Sequence, residues 1–132
     1  MPTATSGPAG GKSFRMTEQA YLILLSLTPE PLHGYAVIQA VAELSDGTTA
    51  LGAGTLYGNL DRLSGAGLVE PAGEEVVDGR LRRYYRITDD GRRAAEQETD
   101  RLRELAARAQ KALDQRGAAA RPASGRLAGG LA

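Results

Sequence analysis

The hydrophobic period of this chain changes from helical to alternating at Gly65-Ala66-Gly67, and that change limits the folds open to it. Before it, apolar residues recur every three or four positions, the spacing of one helix face. After it they alternate, the spacing of a strand. Thr17 to Leu27, TEQAYLILLSL, is an almost unbroken apolar run behind a threonine suited to cap a helix, and Pro29 and Pro31 stop it. A helix apolar on nearly all sides is one buried on nearly all sides. In HGYAVIQAVAELSDG, Val37, Ile38, Val41 and Leu44 predict a one-sided helix that ends at Gly47. Leu56, Leu60 and Leu63 mark a third, short helix inside GAGTLYGNLDRLSGAGLVE. Its glycines fall mostly at the ends. Gly58 alone lies inside, where glycine costs about 1 kcal/mol relative to alanine.

Beyond the switch, Leu68-Val69-Glu70 opens a strand and RLRRYYRIT, residues 80–88, forms a second, with an Asp78-Gly79 hairpin turn between them. Alternation puts Leu81, Arg83, Tyr85 and Ile87 on one face and Arg80, Arg82, Tyr84 and Arg86 on the other. Thr88-Asp89-Asp90 then reads as a helix start, with a capping hydroxyl and two acids where the helix dipole favours negative charge. That helix is expected to reach about Gln115. Its narrow stripe, which includes Leu102, Leu105 and Ala109, resembles a coiled-coil seam. Three helices, a hairpin and a long helix predict a mainly α fold with a small β-hairpin: a winged helix-turn-helix plus a long C-terminal dimerisation helix. The expected division is a flexible tail over 1–13, a winged helix-turn-helix over 14–88, the dimerisation helix over 89–115 and a second tail over 116–132. Both tails are rich in small and polar residues and hold too little apolar mass to offset ordering entropy.

Composition excludes more than it selects. There is no Cys and one His, His33, and no acidic pair falls on a shared buried face, so neither an enzyme, a metal site nor a cofactor is expected. Gly52, Gly54 and Gly58 half-mimic a dinucleotide loop, but the third glycine is one residue late and a helix, not a strand, precedes it. No apolar run reaches membrane-spanning length and the N-terminus lacks a signal-peptide pattern, so a soluble cytoplasmic protein is expected. Sixteen basic and sixteen acidic residues leave no net charge, yet a local patch can still bind phosphate.

Two local patterns point to DNA. A helix-turn-helix sets the start of its second helix in the major groove. Here that surface is Thr55, Tyr57, Gly58, Asn59 and Arg62, with Leu56, Leu60 and Leu63 turned inward. Gly58 leaves room for a close neighbour, either DNA or another helix. The hairpin adds Arg80, Arg82, Arg83 and Arg86 within seven residues and with no acid among them, suited to the DNA backbone or the minor groove. The bland alternative is an edge strand protected by charge.

The ordered motifs Leu32-His33-Gly34-Tyr35, Gly54-Thr55-Leu56-Tyr57, Leu60-Asp61-Arg62-Leu63, Gly67-Leu68-Val69, Asp78-Gly79-Arg80, Arg82-Arg83-Tyr84-Tyr85 and Ile87-Thr88 with Gly91 resemble the PadR family of bacterial transcriptional regulators. The resemblance spans roughly residues 16–113. It implies a homodimeric, ligand-responsive repressor bound to a double-stranded, near-palindromic operator, in the cytoplasm and on the nucleoid. It puts Tyr35 and Tyr57 near phosphates, Thr55 and Asn59 near the major groove, and Arg80, Arg82 and Arg83 on the wing. It pairs the C-terminal helix with its counterpart and with the partner's first helix, through Leu22, Leu25, Leu102, Leu105, Ala109 and Leu113. The chain has no Trp, unlike members that stack flat drugs on tryptophan, so the identity of a small-molecule effector stays open. The competing expectation is a winged-helix module that binds a protein or a small molecule without a DNA target.

Overall fold

A computed structural model describes the backbone of residues 14–131 and the side chains of residues 14–115; the expected tail over 1–13 lies outside the described residues. Among them the elements run α1 (Glu18–Ser26), β1 (Leu32–His33), α2 (Gly34–Leu44), α3 (Ala53–Gly65), β2 (Val69–Val77), β3 (Arg80–Ile87) and α4 (Asp89–Leu131).

Thr17 caps α1 as its position suggests, its hydroxyl accepting the Ala20 N–H at 3.1 Å. Ile23, Leu24 and Leu27 are wholly buried and meet Val37 and Val41 of α2 and Leu56, Leu60 and Leu63 of α3. Leu22 is only 8% exposed and belongs to this same core. Leu22 is therefore used by the core of its own protomer, while Tyr21 and Leu25 on the same helix stay only half-buried. Leu44 is half exposed, so the buried stripe of α2 ends at Val41.

The change of period is a helix stop followed by a strand. Gly67 takes φ +77°, its N–H reaches the Ser64 carbonyl at 3.0 Å, and the Leu68 N–H reaches the Leu63 carbonyl at 2.9 Å. This paired closure satisfies the last carbonyls of α3 and requires a left-handed residue. At the hairpin, Asp78 and Gly79 have φ 52° and 76°, and Val77 pairs with Arg80, the geometry of a two-residue turn with both central residues left-handed. The pairing of β2 with β3 slips between Pro71 and Glu74, where the ladder is irregular.

The sheet has a third strand that the sequence pattern does not announce. Leu32 pairs with Tyr85 and His33 with Tyr84, so the order is β1-β3-β2. Two residues are too few to show alternation, and only the approach of β3 makes them a strand.

Thr88 joins this unit to the last helix. Its hydroxyl accepts the Gly91 N–H at 3.0 Å and donates to the Gly67 carbonyl at 2.6 Å, while its own N–H bonds to Leu68 at 3.0 Å. The first turns of α4 pack on the core, with Ala95 buried. The chain forms one compact unit that ends at Glu98 and a second that begins at Thr99. In that second unit α4 continues past Gln115 to Leu131. The run Ala118–Ala120 carries strong helix propensity into a segment whose overall composition reads as a tail.

Candidate nucleic-acid interface

Leu56, Leu60 and Leu63 anchor α3 and so decide which side chains it shows. Thr55 and Arg62 are exposed and Tyr57 is 46% exposed. Asn59 departs from expectation. It is 2% exposed, donates through Nδ2 to the Thr55 carbonyl at 2.9 Å and accepts Arg62 Nη2 on Oδ1 at 2.9 Å. The reason is helical geometry: position 59 is three residues after Leu56 and four before Leu63, on the inner face. Asn59 is thus not an outward base reader, a correction to its expected place in the major groove. At Gly58, an added Cβ would meet only Arg62 Nη1, at 3.9 Å. No neighbouring helix presses there, so packing within the protomer does not explain this glycine.

Tyr57 lies across the start of α2. A Cβ on Gly34 would run into the Tyr57 hydroxyl and stand 3.1 Å from its Cζ, so a larger residue there would push the Tyr57 ring aside. Tyr35, 65% exposed, stands next in the chain. His33 occupies the N-cap position but its side chain makes no capping bond, which leaves the leading N–H groups of α2 uncapped by it. Arg82 Nη1 lies 3.5 Å from His33 Nε2, at the outer limit of a hydrogen bond, and the His33 ring meets Tyr84 edge-on at 5.4 Å. Tyr35, Tyr57, His33, Arg80 and Arg82 share one hollow of about 410 Å³. Helix start, α3 and wing therefore converge on one concave surface.

The wing carries less free charge than its sequence suggests. Strand β2 places Glu74 opposite Arg83, Glu75 opposite Arg82 and Glu70 opposite Arg86. Arg83 Nε lies 3.4 Å from Glu74, Arg86 Nε lies 2.7 Å from Glu70, and the Tyr84 hydroxyl donates to Glu75 at 2.6 Å. The hydrogen bond to Glu75, with desolvation second, holds the Tyr84 phenol above its ordinary range, whereas Tyr85 is raised chiefly by burial. So the expectation of unopposed arginines holds along β3 but fails across the ladder. Exposed pairs of this kind contribute little to stability, yet each offsets a cation that would otherwise face phosphate. Arg80, beside the turn, is exposed and forms no ion pair among the described residues.

On α4, Leu102 and Leu105 are partly exposed, Leu113 is 64% exposed and Ala109 is exposed; Leu25 on α1 is half-buried against the core. Among the described residues, no group of three or more His, Cys, Asp or Glu could hold a metal ion, and no helix is long and apolar enough to cross a membrane.

The family model for PadR-like transcriptional regulators matches residues 23–97, more than half of the chain. The chain belongs to the PadR-like family of transcriptional regulators. It is 40% identical over 84 residues to the transcriptional regulator Rv3488 of Mycobacterium tuberculosis, covering 64% of this chain and 75% of that one. It is 37% identical over 94 residues to an uncharacterized transposon protein of Streptomyces fradiae, covering 71% of this chain but only 26% of the relative, so it spans about a quarter of that protein. Its fold is also that of Bacillus subtilis PadR, solved in complex with operator DNA, with a TM-score of 0.56 at 20% identity over 64% of this chain and 48% of that one. The winged-helix architecture is therefore the family's own, and the match takes in α2, α3, the wing and the start of α4.

Proposed function

We propose that this PadR-like regulator is a cytoplasmic homodimeric repressor that binds an inverted-repeat operator. The observation that carries the reading is the single concave surface shared by Tyr57 of α3, the start of α2 and the wing. In this reading Thr55, Gly58 and Arg62 face the major groove. Tyr35, Tyr57 and the N–H groups that open α2 meet phosphate, and Arg80 and Arg82 follow the backbone from the wing. A solved complex of the Bacillus subtilis relative with operator DNA supports double-stranded DNA as the partner. The seam Leu102, Leu105, Ala109 and Leu113, with Leu25, would join two protomers so that two copies of α3 enter successive major grooves. A small-molecule effector that releases the DNA belongs to the same reading.

The test is titration of the full chain with DNA from upstream of its own gene, at several salt concentrations. Each phosphate neutralised contributes about 0.9 to the slope of log affinity against log salt. Arg80→Ala on both wings should lower that slope by roughly 2. Binding that is flat in salt would refute the reading and favour a protein-interaction module.

A further inference from the structure

We infer that Asn59 is a positioning residue that holds the Arg62 guanidinium, before DNA arrives, over Gly58 and aimed at a guanine of each half-site. The inference rests on the DNA-binding reading above and adds to it which residue reads a base and what aims it.

Asn59 is a polar side chain, 2% exposed, on a helix face otherwise made of Leu56, Leu60 and Leu63. A buried amide in such surroundings persists when its donor and acceptor are both used. Its donor goes to the Thr55 carbonyl at 2.9 Å, and its acceptor is used by Arg62 Nη2 at 2.9 Å. Both bonds run along one helix, so the amide links the first turn of α3 to an exposed arginine two turns later. Helical side chains lean toward the N-terminus, and this link draws the guanidinium one turn back along α3, toward the end that enters the groove. Arg62 Nη1 comes to rest 3.9 Å from where a Gly58 Cβ would stand. A glycine there leaves that edge of the guanidinium uncovered.

One Nη donor is used by Asn59, and the other donors of the planar fork remain. A fixed fork with free donors matches the two acceptors of guanine, O6 and N7, in the major groove. Exposed arginines on flexible stems make phosphate contacts just as well without a tether. A tether therefore marks a base contact, where direction matters. The three residues act as a unit: Asn59 aims, Gly58 clears and Arg62 reads.

Asn59→Ala, Arg62→Ala and the double variant test this in the full-length protein. Affinities are measured by fluorescence anisotropy for the mapped upstream duplex, for duplexes with each guanine replaced, and for scrambled DNA. Asn59→Ala should weaken the mapped site about tenfold, leave scrambled DNA nearly unchanged, and flatten preference at the same guanines as Arg62→Ala. In the Arg62→Ala background it should add nothing. A loss of equal size with and without Arg62 would overturn the inference and leave the DNA reading intact. Absence of DNA binding by the wild-type protein would remove both. A direct readout, independent of DNA and of any folding defect in the variants, is nitrogen-15 NMR of the wild-type guanidinium groups. Hindered rotation should give Arg62 separate Nη signals at low temperature, and averaged signals like those of Arg80 would refute the tether.

Discussion

Replacing Gly58 by alanine should pull stability and DNA binding in opposite directions. Gly58 lies in the interior of the thirteen-residue helix α3. A Cβ there would meet nothing but Arg62 Nη1 at 3.9 Å, an ordinary van der Waals distance. No clash offsets the gain in helix propensity, so Gly58→Ala should stabilise the protein by about 1 kcal/mol. In a domain of this size that corresponds to a rise in Tm of about 4–8 °C. Circular dichroism melts at one fixed protein concentration measure it, because association of the kind proposed above makes Tm depend on concentration. On DNA the same methyl would stand between the helix and the groove. Overpacking by one methyl costs about 1–3 kcal/mol, so operator affinity should fall about tenfold, read by anisotropy at constant salt. A lower Tm would show that this glycine has a packing role within the protein. A higher Tm with unchanged operator affinity would refute the argument that DNA comes close at this position.

Three further outcomes follow from the same geometry. Glu74→Gln removes the carboxylate 3.4 Å from Arg83 on an exposed face, so stability should change by less than about 1 kcal/mol while DNA affinity and its salt slope rise, measurable by the same titrations. Gly91→Ala would drive a methyl into the Leu68 backbone carbonyl and to 2.8 Å from Ile87 Cγ1; because backbone cannot yield as a flexible side chain does, a loss of about 1–3 kcal/mol is expected in a chemical denaturation curve. Leu105→Asp places a charge on the proposed dimer seam, at a residue 46% exposed in the protomer, so under the proposed dimer light scattering should report half the wild-type mass while the winged-helix unit keeps its circular dichroism spectrum.

Much of the candidate interface is legible in residue spacing, including features that residue type obscures. The Asp78-Gly79 turn determines the register of the hairpin. Counting outward from Val77 and Arg80 puts Glu75 opposite Arg82 and Glu74 opposite Arg83, so the acids that oppose the wing were countable from the turn alone. Asn59 was likewise countable, since it falls three residues after Leu56 and four before Leu63. Residue type suggests an outward asparagine, because asparagine is a familiar partner of bases, but helical position outweighs it. By contrast, the two-residue strand Leu32–His33, and with it the contact of His33 with Arg82 and Tyr84, carries no periodic signal.

The sequence by itself determined the order and kind of the elements. Period, caps and turns are local, and Thr17, Gly67, Asp78-Gly79 and Thr88 each act within a few residues of the change they cause. Only the tertiary structure decided which side of each element its own protomer uses. Leu22 and Leu25 look alike in the chain, yet one is buried in the core and the other stays half-buried. Gly34 looks like a helix start until Tyr57 is seen lying across it. The four arginines of β3 look unopposed until β2 sets glutamates against three of them. In each case the deciding partner is distant in sequence or on another strand, and burial and charge pairing depend on what is near in space.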